Sequence, residues 1–194
     1  MHLIDIGVNL TNKRLFSQLD NVLQQATEAG VSTLIVTGTC IDSSQQAIKL
    51  CQTYPEQLYC TAGVHPHEAK QWTPATAVEL EKLISIDCVK AIGETGLDFN
   101  RNFSLPAQQI EVFRQQLELA SRLHKPVFLH HRDAFDTFYS LLKEYRDTLS
   151  GAVVHCFTDN KKALFELLDL DCHIGITGWI CDERRGVALQ SLVK

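Results

Sequence analysis

The stretch V-K-A-I-G-E-T-G-L-D-F-N, Val89 to Asn100, decides how the chain is read, because an apolar run ends there in a carboxylate, two glycines and an aspartate. Val89, Ala91 and Ile92 suit a strand covered on both faces, as in parallel sheets. Such a strand puts Glu94 at its C-terminal lip, where α/β proteins carry their reactive groups. Gly93 and Gly96 permit a tight backbone around the carboxylate. Alone, these residues also describe a solvated strand end, so the decision rests on what stands elsewhere in the chain.

Outward from that stretch, short β-like runs alternate with helical periods, the pattern of repeated βα units. Strands are predicted at Leu3 to Leu10, Thr33 to Val36 and Leu58 to Val64, ahead of the Glu94 strand. After it come a strand opened by Pro126 and ending at His130, one from Ala152 to Phe157, and one from Ile174 to Thr177. The helix after the first strand carries Phe16, Leu19, Val22, Leu23 and Ala26 on one face and stops at Gly30. Asp42 or Ser43 is expected to cap the second helix, which turns Ala47, Ile48 and Cys51 inward and ends at Tyr54-Pro55. Thr73-Pro74 reads as cap and first residue of the next, with Leu80, Leu83 and Ile84 buried. Ile110, Phe113, Leu117 and Ala120 mark the clearest helix, Phe135, Phe138, Leu142 and Tyr145 another, and Leu164, Leu167 and Leu168 the last full one.

The 194 residues, 45% hydrophobic and 21% charged, describe one globular domain with one large core. No apolar run approaches the roughly 18 residues of a membrane span, and the N-terminus lacks the pattern of a signal peptide. A cytoplasmic location without membrane contact is expected. Seven cysteines, none in a C-x-x-C pair, read as reduced core thiols. A net charge of -5 excludes a broad nucleic-acid-coating surface, yet leaves room for a local basic patch or a metal to meet phosphates. No G-x-G-x-x-G follows the first strand, so the repeats predict a TIM-type (β/α)8 barrel rather than an open doubly wound sheet. Seven βα units are present and the last strand is absent. A complete barrel usually takes about 250 residues, so a fragment, a shortened relative and an open sheet all fit.

In a barrel the strand ends converge, so Glu94, His130 and His155 are expected to meet. A carboxylate with two neutral imidazoles suits a divalent ion that keeps positions open for water and substrate. Each histidine alone reads as a satisfied, half-buried side chain; three such residues at three strand ends read as a centre. Side chains alternate along a strand, so His130 and His131 cannot both face the site.

With these residues in view, the chain resembles the TatD-type metal-dependent deoxyribonucleases of the amidohydrolase-like barrels, from Asp5 to Arg185. The marks are D-I-G-V-N at Asp5 to Asn9, A-G-V-H-P-H at Ala62 to His67, I-G-E-T-G-L-D at Ile92 to Asp98, F-L-H-H-R-D at Phe128 to Asp133, V-V-H-C-F at Val153 to Phe157, and G-W-I-C-D-E-R-R at Gly178 to Arg185. The last is similar to the branch that gives the family its name. The resemblance implies magnesium-dependent hydrolysis of DNA phosphodiesters, exonucleolytic from 3' ends on single strands, with a role in DNA repair. It makes Glu94, His130 and His155 catalytic metal ligands and sets His65, His67 and Arg132 on the substrate side. The family's H-x-R-D pattern selects His130 over His131. Arg132 has a forked guanidinium suited to phosphate, or it pairs with Asp133. Asp98 orients a ligand or holds its loop, and Arg101, Arg184 and Arg185 are further phosphate contacts or plain solvated arginines.

Two departures stand out. Many relatives open with H-x-H where this chain has Gly7 and Asn9, which takes away the imidazoles of a second metal. The family's further E-T-D-A-P strand, whose Asp serves as ligand or base beside the metal, has no counterpart in these 194 residues. The expectation is therefore a barrel with an open seam, monomeric only when complete. An amide or ester hydrolase on the same barrel, and a non-catalytic remnant, are the competing readings.

Overall fold

A computed structural model describes residues 2–184 and 186–193. Among them, seven parallel strands pair in sequence order: β1 (Leu3–Val8), β2 (Val31–Val36), β3 (Leu58–Ala62), β4 (Val89–Asp98), β5 (Val127–Arg132), β6 (Ala152–Val154) and β7 (His173–Ile174). Helices α1 (Lys13–Phe16), α2 (Leu19–Glu28), α3 (Ile41–Thr53), α4 (Pro74–Ile84), α5 (Pro106–Leu123), α6 (Phe135–Tyr145), α7 (Lys161–Asp169) and α8 (Val187–Leu192) alternate with them. Strictly sequential parallel pairing with helical crossovers gives a curled barrel wall, as the repeats predict. No helix among the described residues is long and apolar enough to cross a membrane.

The decisive strand is longer than its apolar run. Instead of ending at Glu94, β4 continues to Asp98, because Gly93 and Gly96 take positive φ and the pairing with β5 resumes after a register shift between Ile92 and Thr95. A side chain at Gly96 would collide with the His130 carbonyl oxygen, and φ there is 140°. Gly96→Ala is therefore expected to destabilise the fold by at least about 1 to 3 kcal/mol, read as a lower urea midpoint at unchanged slope.

Other predicted boundaries move for local reasons. The first helix divides: Asn12 Oδ1 caps α1, Ser17 Oγ donates to Arg14 O, and the chain restarts at Leu19, leaving Phe16 outside the core and 55% exposed. Neither Asp42 nor Ser43 caps α3. Cys40 is the N-cap, and Ser43, at the third helical position, accepts from the Thr39 and Cys40 N–H groups through Oγ. Thr73 and Pro74 begin α4 as expected. Strands β1, β3, β6 and β7 end before Leu10, Val64, Phe157 and Thr177, and Leu168 is exposed. All seven cysteines are free thiols, but only Cys51, Cys60 and Cys172 are fully buried.

One apolar core runs between the sheet and its helices, with Phe113 of α5 and Phe138 of α6 stacked at 5.4 Å between ring centroids. Strands β1 and β7 each pair on one side only among the described residues. Between them lies a hollow of about 630 Å³, lined by Leu3 to Gly7 and by Ile174 to Gly178. Ile4 and Ile6 of β1 are 60% and 43% exposed.

Candidate metal centre

The C-terminal ends of β3 to β6 bring His65, Glu94, His130 and His155 together, as strand convergence requires. Glu94, on β4, is buried, and its Oε1 is the focus: His155 Nε2 lies 2.7 Å away, His130 Nδ1 3.3 Å and His65 Nε2 3.5 Å. The Glu94 N–H donates to Gly38 O at 2.6 Å, which fixes the carboxylate from the backbone side. His65 Nδ1 accepts from the His67 N–H, so its Nε2 is aimed at Glu94. Asn9 and Thr39 complete the rim of this 360 Å³ cavity.

Asp98 holds its loop and also meets His67, which was expected on the substrate side. One carboxylate oxygen accepts from His67 Nε2 at 2.7 Å, and the other holds the following turn through the N–H groups of Asn100 and Arg101. His67 therefore stands at the rim, fastened at Nε2 and facing Phe103 with its ring.

Burial works against every charge here and the neighbours decide the outcome. Burial raises the Glu94 carboxyl, but the His130 and His155 hydrogen bonds and the nearby imidazoles outweigh it and hold the group well below the usual carboxylate range. Asp98 is likewise held down by His130, the Arg101 N–H and His67. His130 is pulled down by burial, yet Asp98 and Glu94 lift it to about 9, whereas burial dominates at His65 and lowers it to about 4. At neutral pH the Glu94 and Asp98 carboxylates are thus ionised and His65 is neutral, while His130 lies between the two carboxylates and carries the proton that a cation would displace.

The donor set fits a divalent cation on an independent observation. His130 Nε2 is buried with no hydrogen-bond partner, 3.7 Å from Asp98 Oδ2, while its ring is surrounded by other potential ligands. His65, Glu94 and His130 each offer a ligand atom within 4.8 Å of the other two. His65, expected on the substrate side, thus belongs to this group, whereas His155, expected to bind metal, lies outside it although its Nε2 is 2.7 Å from Glu94 Oε1. His131 faces the other way. Its ring is buried against Phe138, Phe135 and Phe157, and burial lowers it to about 4. His130→Ala is accordingly expected to lose the metal in a calorimetric titration with the fold intact. His131→Ala should keep the same isotherm while losing roughly 2 to 4 kcal/mol of stability to the cavity it leaves.

Arg132 ends β5 and lines an adjoining groove of 390 Å³ with His131, Asp133, Thr158, Asp159 and Trp179, not the Glu94 cavity itself. The alternative pairing of Arg132 with Asp133 is not formed; Asp133 accepts from Asn100 Nδ2 at 2.6 Å. Arg101 and Arg184 are exposed and line neither cavity, and Arg185 lies outside the described residues. Gly7, in place of an imidazole, has φ 117°, and a Cβ there would meet Phe128 Cζ at 2.8 Å. Phe128 in turn packs its ring against His155, with centroids 4.7 Å apart.

Two positioning residues escaped the sequence reading. Gln116 of α5 accepts the Val64 N–H at Oε1 and donates to Val64 O and Thr95 Oγ1, tying the segment that carries His65 to β4. Gln109, two turns earlier, accepts the Asp98 N–H and donates to Asp98 O and Ser104 O. Both are fully buried on the apolar face of α5. Polar residues seven apart on an apolar stripe are a readable sign of a backbone being held.

A parallel barrel wall with a buried carboxylate among imidazoles at its strand ends defines a metal-dependent hydrolase of the TIM-barrel class. More particularly, the family described as TatD related DNase matches residues 4–194, and the chain belongs to it. It is 50% identical over 191 residues to the 3'-5' ssDNA/RNA exonuclease TatD of Pectobacterium carotovorum, covering 98% of this chain and 74% of that protein. Against the protein of the same name from Salmonella typhimurium the identity is 47%, over 98% of this chain and 73% of the relative. The fold is similar to the crystal structure of a TatD family hydrolase from Entamoeba histolytica, with TM-score 0.89 and 30% identity over 99% of this chain and 69% of that one. It is also similar to YJJV, a TatD homologue from Escherichia coli, with TM-score 0.85 and 28% identity over 92% of this chain and 69% of that one.

Proposed function

We propose that the chain supplies the catalytic wall of a magnesium-dependent 3'-5' exonuclease acting on single-stranded DNA, with Glu94, His130 and His155 as ligands and His65 beside them. The observation that carries it is the buried Glu94 carboxylate among three imidazoles, one with an unpartnered buried nitrogen. The ionised Glu94 carboxylate in the cavity, with Asp98 behind it, repels a phosphodiester, and a divalent cation reverses that sign. Bound there, the cation supplies Lewis-acid activation of the phosphodiester and of the attacking water.

The chain's own residues do the rest. Glu94 offsets cationic charge and, through the Gly38 carbonyl, keeps a fixed position. His67, held at Nε2 by Asp98, leaves Nδ1 at the rim to hold or move a proton. Arg132 and Trp179 line the neighbouring groove, where a guanidinium suits a phosphate and an indole a base face. The names of the relatives support nucleic acid as the substrate and a 3' start. Cytoplasmic action, a closed monomer and a part in DNA repair belong to the same proposal. Single-stranded DNA labelled at either end and incubated with and without magnesium tests it. Magnesium-dependent release of a 3' label ahead of a 5' label is the expected result, and the absence of any such release from a chain completed to its relatives' length would overturn it.

A further inference from the structure

We infer that Cys51, Cys60 and Cys88 form a second metal site, for a soft d10 cation, separate from the carboxylate and imidazole centre. The three Sγ atoms lie within 4.8 Å of one another. Three sulfurs around one ion at about 2.3 Å in a plane lie about 4 Å apart, so closing the trio needs shifts below about 1 Å. Soft thiolates without a hard oxygen donor select thiophilic ions over magnesium.

The fold builds this trio from three elements. Cys60 sits on β3, Cys88 immediately precedes β4, and the Cys60 N–H donates to Cys88 O at 3.0 Å, so two of the ligands are tied by the sheet. Cys51 comes from the last turns of α3, which packs over β3. Cys51 and Cys60 are fully buried, while Cys88 is half-buried and gives an ion its way in. Buried thiols ordinarily behave as small hydrophobes. Here they act on each other: hydrogen bonds from Cys60 and then Cys88 pull the Cys51 thiol down against its burial, and Cys60, bonded to Cys51 and buried, is pushed far up. The three thiols thus already face one another as a ligand set would. Binding releases their protons to solvent as the sulfurs ligate.

The test is a titration of the reduced chain with Cd2+, in excess magnesium and in a Cys181→Ser background that removes the exposed thiol. An ultraviolet thiolate-to-cadmium band saturating at one equivalent, with a fall in pH of the weakly buffered solution, is expected. The band should vanish in Cys60→Ser and in Cys88→Ser, whose half-exposed position suits it to substitution if Cys60→Ser fails to fold. It should persist in Cys172→Ser, which loses a buried thiol elsewhere, and in Glu94→Gln. A folded parent without the band, or a band that survives in Cys88→Ser, would overturn the assignment.

Discussion

Glu94→Gln is expected to weaken divalent-cation binding by about 100-fold or more while leaving the circular dichroism spectrum unchanged. The amide keeps the shape and one acceptor oxygen, so the backbone bond to Gly38 and the packing of β4 persist. What disappears is the charge at the point where His65, His130 and His155 converge. Removing one member of a buried charged set typically costs about 3 to 5 kcal/mol, and about 1.4 kcal/mol is a factor of ten. Calorimetric titration with magnesium or manganese measures the loss. An unfolded variant would make Glu94 a structural residue, and an unchanged isotherm would remove it from the ligands.

The second large effect concerns the seam between β1 and β7. The 194-residue polypeptide by itself is expected to hydrolyse DNA about 100-fold to 10,000-fold more slowly than a version extended by the C-terminal quarter of a relative, the range that one positioned acid or base contributes. This chain covers 74% of the Pectobacterium protein, and the resemblance places an acid or ligand aspartate in the remainder. The added strand would also pair both free edges and cover Ile4 and Ile6. The 194-residue form should therefore self-associate, which light scattering measures beside the nuclease assay. Equal magnesium-dependent rates in the two, with the short form monomeric, would mean that the catalytic set is complete within these residues.

Most of the architecture was legible because each strand announces itself by β-branched runs and each helix by its apolar stripe. The centre was legible in outline for the same reason: Glu94, His130 and His155 stand at the ends of such runs. Alternation said that His130 and His131 could not both face the site, and the H-x-R-D pattern chose between them; the His131 ring lies among Phe135, Phe138 and Phe157. What escaped depends on contacts between distant segments. The continuation of β4 past Glu94 follows from how closely β5 approaches Gly96, and the tie from Gln116 to Val64 spans 52 positions. Cys40 as a cap was hidden because cysteine is an uncommon cap, and its role rests on the Ser43 hydroxyl closing the reciprocal bonds. The closeness of three thiols 9 and 28 positions apart was likewise invisible to a count that found no C-x-x-C.

The narrow space beside Gly7 couples position 7 to Phe128. An imidazole introduced at position 7 would strike the Phe128 ring, and that ring is the surface on which His155 rests. A side chain at position 7 would therefore have to displace the Phe128 ring while its own backbone held a φ of 117° that favours glycine, so a change there is felt at His155 on another strand.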